Sequence, residues 1–336
     1  MTRSPLVVLT SRVFPETRAA LERVARVVAN ENPEPWSRDE LIGRCGEATG
    51  LMAFMTDRID RAFLERCPQL KIIGAALKGY DNIDVDAARE RGVQVTIVPD
   101  LLTGPTAELA IGLMIAIGRH IPAGDAGIRH QGFAGWRPQL YGTGIGNATV
   151  GIIGFGLVGQ AIARRLGGFG CRIVAFDAKP FDEGTGVERV AFDDVLKLSD
   201  FVVLGLPLTD STTGLIDARA IGRMKPGALL VNPARGSLVD EAAVADALAS
   251  GHLGGYAADV FECEDWARPH RPMSIDPGLT APGARTVLTP HLGSAVTSAR
   301  RQIELSAATS ILQALAGQVP AGLVTIPKIK TAALTA

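Results

Sequence analysis

Short apolar, β-branched runs alternate with helical segments along almost the whole chain. These runs predict strands at Leu6–Leu9, Gly50–Phe54, Lys71–Ala75 and Val93–Val98. A second series follows at Thr149–Ile153, Arg172–Phe176, Phe201–Leu204, Ala228–Val231, Gly255–Asp259 and Thr286–Leu288. Most are continuously apolar rather than alternating, the pattern of parallel strands covered on both faces. Helical periodicity occupies the intervals, for example Glu16–Val28, Val158–Leu166 and Glu241–Ala249. Alternation of this kind predicts doubly wound α/β architecture.

The two series separate at a long apolar helix near Thr106–Arg119. Gly132–Asn147, rich in glycine and holding Trp136 and Tyr141, has no clear period and is expected to be a loop. The second series ends near His291, and a long helical pattern, Ser294–Ala316, follows. That helix is expected to return to the first series. The first domain would then be discontinuous, residues 1–103 with 295–336, around a second domain of residues 104–294. A length of 336 residues suits two domains.

Composition narrows the classes. The chain is 47% hydrophobic and 21% charged, with a net charge of −1 and its Lys and Arg dispersed. Nothing in this points to nucleic acid or a membrane surface as partner. The apolar stretch Ala107–Gly118 falls short of the roughly 20 residues a span requires, and is expected to be a core helix. Cys45, Cys67, Cys171 and Cys263 show no C-x-x-C spacing and no tight grouping with His, so no metal site is expected. Scattered cysteines suit reduced thiols in a cytoplasmic protein.

The most specific motif is Gly154-Phe-Gly-Leu-Val-Gly159, directly after the strand Thr149–Ile153 and directly before a helix. Gly154 would permit the tight turn, Gly156 the approach of backbone to a pyrophosphate, and Gly159 close packing of helix on strand. Leu157 and Val158 open the helix, whose N-terminal N–H groups and dipole favour phosphate. Asp177 ends the next strand, eighteen residues after Gly159. It would accept hydrogen bonds from ribose hydroxyls and repel a 2′-phosphate, so NAD is expected over NADP. Lys179 weighs slightly the other way. Gly142, Gly144 and Gly146 also show G-x-G spacing, but they precede the strand and are expected to be loop glycines.

Three later segments put polar residues at the carboxyl ends of apolar strands, where open α/β sheets bind ligands. They carry Arg235, then Asp259 with Glu262 and Glu264, then His291. Singly, each has a bland reading: a loop charge, a surface carboxylate, a structural histidine. Together they offer a planar fork for an oxyanion, a carboxylate to fix an imidazole, and a group for proton transfer. That is the equipment for hydride transfer coupled to proton transfer.

With the glycine turn, these segments resemble the D-2-hydroxyacid dehydrogenase family over nearly the whole chain. The resemblance implies a Rossmann NAD domain inserted into a discontinuous, flavodoxin-like catalytic domain, and a homodimer. It implies Arg235 as substrate binder, Glu264 as acidic partner and His291 as acid/base. Cofactor contacts would come from Gly154, Gly156, Leu157, Val158, Gly159 and Asp177. Thr106, Pro207, Pro233, Ala234, Asp259 and Gly293 would add to these, as would Lys78 and His291. Several stretches resemble more particularly the phosphite-oxidising branch of that family. They are Met52–Asp57, Ala76–Asn82, Val98–Thr103, Gly135–Gly144 and Phe261–Ala267. That likeness implies the reaction phosphite + NAD + water → phosphate + NADH. It implies substrate contacts from Lys78, Met55 and Arg300, with Leu102, Trp136 and Tyr141 as neighbours. Cys263 departs from it, Asp177 is shorter than the glutamate expected there, and the tail after Gly317 matches poorly.

Two other readings stand beside this one. An ordinary 2-hydroxyacid dehydrogenase would use the same Arg235, Glu264 and His291 on a carboxylate and a 2-hydroxyl. A non-catalytic NAD sensor would keep the glycine turn and has no need of those three residues.

Overall fold

The computed structural model describes residues 4–98, 100–181, 186–268 and 270–325. The chain divides into two compact units. One is drawn from both ends, up to Leu101 and from Thr297 onward, and the other is Leu102–Val296. Residues 326–336, assigned from sequence to the first domain, lie outside the described residues.

The first unit is built on five parallel strands: β1 (Leu6–Leu9), β2 (Arg26–Ala29), β3 (Gly50–Ala53), β4 (Ile72–Ala75) and β5 (Gln94–Thr96). Their order is β2-β1-β3-β4-β5. β1, β3 and β4 are buried along their whole length, as their continuous apolar runs predict. The helix Thr297–Leu315 packs on this sheet. Gly74 lets it approach, since a Cβ there would lie 2.7 Å from Ile311 and 2.8 Å from the Ala307 carbonyl. The helix expected over Glu16–Val28 is shorter, Pro15–Glu22, and Arg26–Ala29 is the edge strand β2 instead. Tertiary pairing decides this: Val27 and Val28 stand in register with Val7 and Val8.

The second unit holds seven parallel strands: β6 (Thr149–Ile153), β7 (Arg172–Phe176), β8 (Glu188–Arg189), β9 (Phe201–Leu204), β10 (Ala228–Asn232), β11 (Leu253–Ala258) and β12 (Thr286–Leu288). The order is β12-β11-β10-β9-β6-β7-β8, so the winding reverses between β6 and β9, where the glycine turn follows β6. β8 is short and exposed, with no apolar run to announce it. The segment Asp100–Gly118, which includes the apolar helix Thr103–Gly118, is long and apolar enough by composition to pass for a membrane span. It instead supplies Ala107, Ala110, Leu113, Met114 and Ile117 to the core of this unit. The helix Ile121–Gln131 has no buried residue, so no core-facing period marks it in the sequence.

Candidate active site

Each glycine of the turn after β6 has a physical reason. Gly154 sits at φ +93°, and a Cβ there would meet Gly205 and Leu206 at 2.7 Å. A Cβ on Gly159 would lie 2.2 Å from the Gly154 carbonyl, so the helix can pack this close only without one. Gly156 differs: nothing lies within 4 Å of the position its Cβ would take. It is the N-cap of the helix Leu157–Leu166, and no side chain caps that end. The helix thus opens without a side-chain cap for its first-turn N–H groups, and Leu157 beside the cap is exposed. This is a fit for a pyrophosphate. Asp177 follows β7, and its Oδ2 accepts a 2.7 Å hydrogen bond from Phe155 N–H inside the turn. Its Oδ1 accepts from Lys179 N–H at 2.8 Å. The acid is thus tied to the turn it serves, with lone pairs left for ribose hydroxyls.

Arg235 is presented by the end of β10. Asn232 is fully buried, its Oδ1 accepting from Ala234 N–H at 3.1 Å and its Nδ2 donating to the Arg235 carbonyl at 2.8 Å. This local bridge turns the chain at the buried Pro233 and brings the Arg235 side chain out half-buried. Its Nη1 donates to the Ala234 carbonyl at 2.8 Å.

Glu264 lies on the short helical turn Glu262–Glu264 after β11. Its Oε1 accepts from Phe261 N–H at 3.0 Å, which aims Oε2 at His291 Nδ1, 2.9 Å away. His291 has φ +55°, in the left-handed region that a non-glycine residue adopts only when held there. Asp259 holds it. Its Oδ1 accepts from the Thr289 hydroxyl and from Leu292 N–H, both at 2.6 Å, and its Oδ2 from Gly293 N–H at 2.7 Å. His291 N–H donates to the Asp259 carbonyl at 2.8 Å. Burial pushes the Asp259 carboxyl above the ordinary range, against these hydrogen bonds. Asp259 was expected at the cofactor. It is fully buried with both oxygens engaged, so its work is to shape the His291 loop. Thr106 adds a 3.4 Å hydrogen bond to the Gly293 carbonyl.

In the first unit, three sequence candidates lie on neighbouring segments. Met55 is half-buried on the turn after β3, and Lys78 is half-buried on the loop after β4. Asn82 joins these two segments, its Nδ2 donating to the carbonyls of Phe54 and Asp57 at 3.0 and 2.7 Å. Arg300 donates to the Ala76 carbonyl at 3.4 Å and lies over the Phe54 ring at 5.7 Å. Burial lowers its pKa, partly countered by Glu304 3.8 Å away. Lys78 Nζ stands 3.9 Å from Asp100 on the turn that ends at Leu102.

Trp136 and Tyr141, expected as neighbours of substrate, stand 77% and 78% exposed on the loop between Gln131 and β6, which has no apolar period to hold it on the core. Pro207 is likewise exposed. Sequence reasoning missed Asn232, Asp57 and Asn82 as shaping residues; Asn232 gave one signal, a polar side chain ending an apolar run, and Asp57 and Asn82 gave none. Among the described residues, no group of three or more His, Cys, Asp or Glu is placed to hold a metal.

Residues 111–293 match the family described as D-isomer specific 2-hydroxyacid dehydrogenase, NAD binding domain. A glyoxylate reductase of Thermococcus litoralis is 35% identical over 328 residues, covering 95% of this chain and 96% of that protein. D-3-phosphoglycerate dehydrogenase of Mycobacterium tuberculosis is 38% identical over 317 residues. The match covers 94% of this chain but only 57% of that longer relative. A crystal structure of a Thermus thermophilus protein superposes with a TM-score of 0.85 at 35% identity, covering 95% of this chain and 99% of that one.

Proposed function

The chain belongs to the D-isomer specific 2-hydroxyacid dehydrogenases, NAD-dependent oxidoreductases, and from that premise we propose that it oxidises or reduces a small oxyanionic substrate with Arg235, Glu264 and His291 as its chemical residues. The observation that carries this reading is the 2.9 Å contact between His291 Nδ1 and Glu264 Oε2. It commits one ring nitrogen to the carboxylate and leaves Nε2 to exchange a proton with substrate. Arg235 supplies the fork for the substrate's anionic group. NAD, when bound at the glycine turn, accepts or donates the hydride. As hydride leaves a 2-hydroxy acid, His291 takes the hydroxyl proton; in the reverse direction it returns that proton to the 2-oxo acid.

The names of the relatives support a 2-oxo or 2-hydroxy acid such as glyoxylate as substrate. A second reading, phosphite, is favoured by Lys78 and Arg300. Within the first unit these are two cations on adjoining segments, which suits a compact anion of high charge. In that reaction His291 would take the proton of the attacking water. A second copy of the chain is the expected partner. Support comes from the large apolar side chains exposed on the helix Ile121–Gln131 and the loop after it, Ile121, Ile128, Phe133 and Trp136 among them.

The test is direct. Purified protein is given NAD with phosphite, and separately NADH with glyoxylate, hydroxypyruvate or phosphoglycerate's 2-oxo relatives, and absorbance of the reduced cofactor is followed. Turnover of one class assigns the substrate. Inertness towards all of them would return the chain to the NAD-sensor reading.

A further inference from the structure

Behind the Arg235 segment and the Glu264 turn lies a pair of carboxylates that the proposed chemistry leaves unused. Glu241 opens the helix Glu241–Ala249 and is only 3% exposed. Glu262 is the first residue of the turn that carries Glu264. The two are bonded reciprocally: Glu241 N–H donates to Glu262 Oε1 at 3.0 Å, and Glu262 N–H donates to Glu241 Oε1 at 2.8 Å. Glu241 Oε2 accepts from Asp276 N–H at 3.2 Å. Two further contacts reinforce the joint. Ser237 N–H donates to Asp265 Oδ2 at 2.7 Å, and a Cβ on Gly236 would lie 1.8 Å from the Phe261 carbonyl carbon. The backbone just after Arg235 is therefore pressed against the backbone just before Glu264.

From this geometry we infer that Glu241 and Glu262 are positioning residues, a reciprocal clasp that keeps the oxyanion fork of Arg235 in register with the Glu264–His291 pair. The inference rests on the roles given above to Arg235, Glu264 and His291. Its physical basis is that both carboxylates are spent on backbone N–H groups, where a charged acceptor binds about twice as strongly as a neutral one. Glu241 is buried with both oxygens engaged, and Glu262 commits one oxygen to the joint. Burial raises both carboxyls above the ordinary range, with the hydrogen bonds opposing. Besides the clasp, the segments after β10 and β11 share the Gly236 contact and the Ser237–Asp265 bond.

The two carboxylates are not equivalent, and that asymmetry makes the inference testable. Glu262 uses one oxygen, so Glu262→Gln keeps an acceptor while Glu262→Ala loses it. Glu241 uses both, so Glu241→Gln must turn an NH2 group towards one of the two N–H donors. Steady-state kinetics with the substrate the protein turns over, NAD affinity by fluorescence titration and thermal unfolding are measured on each variant. Expected are a fall of about 10- to 100-fold in kcat/KM for substrate in Glu241→Gln and Glu262→Ala, with KM raised and NAD affinity within about twofold. Glu262→Gln recovers what Glu262→Ala loses, and the loss in Glu241→Gln with Glu262→Ala is less than the product of the two. A merely destabilised protein would lose active molecules with KM unchanged. If Glu241→Gln fails to fold, the Glu262→Ala and Glu262→Gln contrast decides alone. Wild-type kcat/KM in Glu262→Ala, or equal losses in Glu262→Ala and Glu262→Gln, overturns the clasp. If His291→Ala is inactive in the same assay, the active-site assignment survives that result. Full activity in His291→Ala overturns both.

Discussion

His291 and Glu264 are 27 residues apart in the chain and 2.9 Å apart in the structure, on loops after neighbouring strands of one sheet. The carboxylate is itself held by Phe261 N–H, and the histidine is held at positive φ by Asp259. Neither side chain needs to search for the other when substrate arrives, which is preorganisation in the sense that matters for proton transfer.

Replacing His291 with alanine removes that proton carrier. Turnover is expected to fall by about 100- to 10,000-fold, the usual weight of general acid–base catalysis. NAD affinity, measured by fluorescence quenching, is expected to stay close to wild type because the glycine turn is untouched. Robust turnover in this variant would remove His291 from its role.

Asp177 makes the next prediction. Its loss costs the ribose a charged acceptor worth about 1.5–3 kcal/mol, so Asp177→Ala should raise KM for NAD about 10- to 100-fold. NADP should become a better substrate at the same time, because the repelling charge is gone. Since Asp177 also ties Phe155 N–H, some of the loss will register in stability. Unchanged discrimination between the two cofactors would count against the ribose assignment.

Gly236→Ala would place a methyl 1.8 Å from the Phe261 carbonyl carbon. The backbone must part there, at a cost of about 1–3 kcal/mol or more. The expected result is a lower melting temperature together with lost substrate turnover. Wild-type activity in this variant would mean that the register of Arg235 and Glu264 is unimportant.

Asp57 predicts a pH dependence of stability. Burial raises its carboxyl to about 6, despite hydrogen bonds from Phe54 N–H and the Thr10 hydroxyl. A raised carboxyl means that the folded protein holds a proton the unfolded chain has released. Its contribution is complete below the ordinary carboxylate range and is lost as pH rises from about 4 to about 6, by about 3 kcal/mol. Both hydrogen bonds reach the same oxygen, Oδ2, at 2.7 and 2.5 Å, so asparagine can accept both. Asp57→Asn should therefore flatten the dependence and raise the melting temperature at pH 7 to 8. A lower melting temperature there would show that the charge itself is needed.

The exposed aromatic loop predicts self-association. Sedimentation equilibrium should report a dimer for the wild type and a shift towards monomer for Phe133→Ser with Trp136→Ser. A wild-type monomer at micromolar concentration would remove the second copy as partner.

Much of this was determined by the sequence alone. The continuous apolar runs gave parallel strands, since burial on both faces demands them, and the glycine turn with Asp177 gave the nucleotide end, since strand, glycines, helix and acid follow one another in a fixed order and spacing. Arg235, Glu264 and His291 were legible as strand-end residues, though not as a bonded set. Tertiary structure decided what depends on partners distant in sequence. Val27 and Val28 join an edge strand only because β1 lies beside them. Asp259 became the builder of the His291 loop, and Glu241 and Glu262 became a clasp, through hydrogen bonds that span 21 to 34 residues. Such bonds leave no period in the chain. Hydrophobic patterning reports which face is buried, whereas the placing of one polar atom against another is settled only when the strands that carry them are side by side.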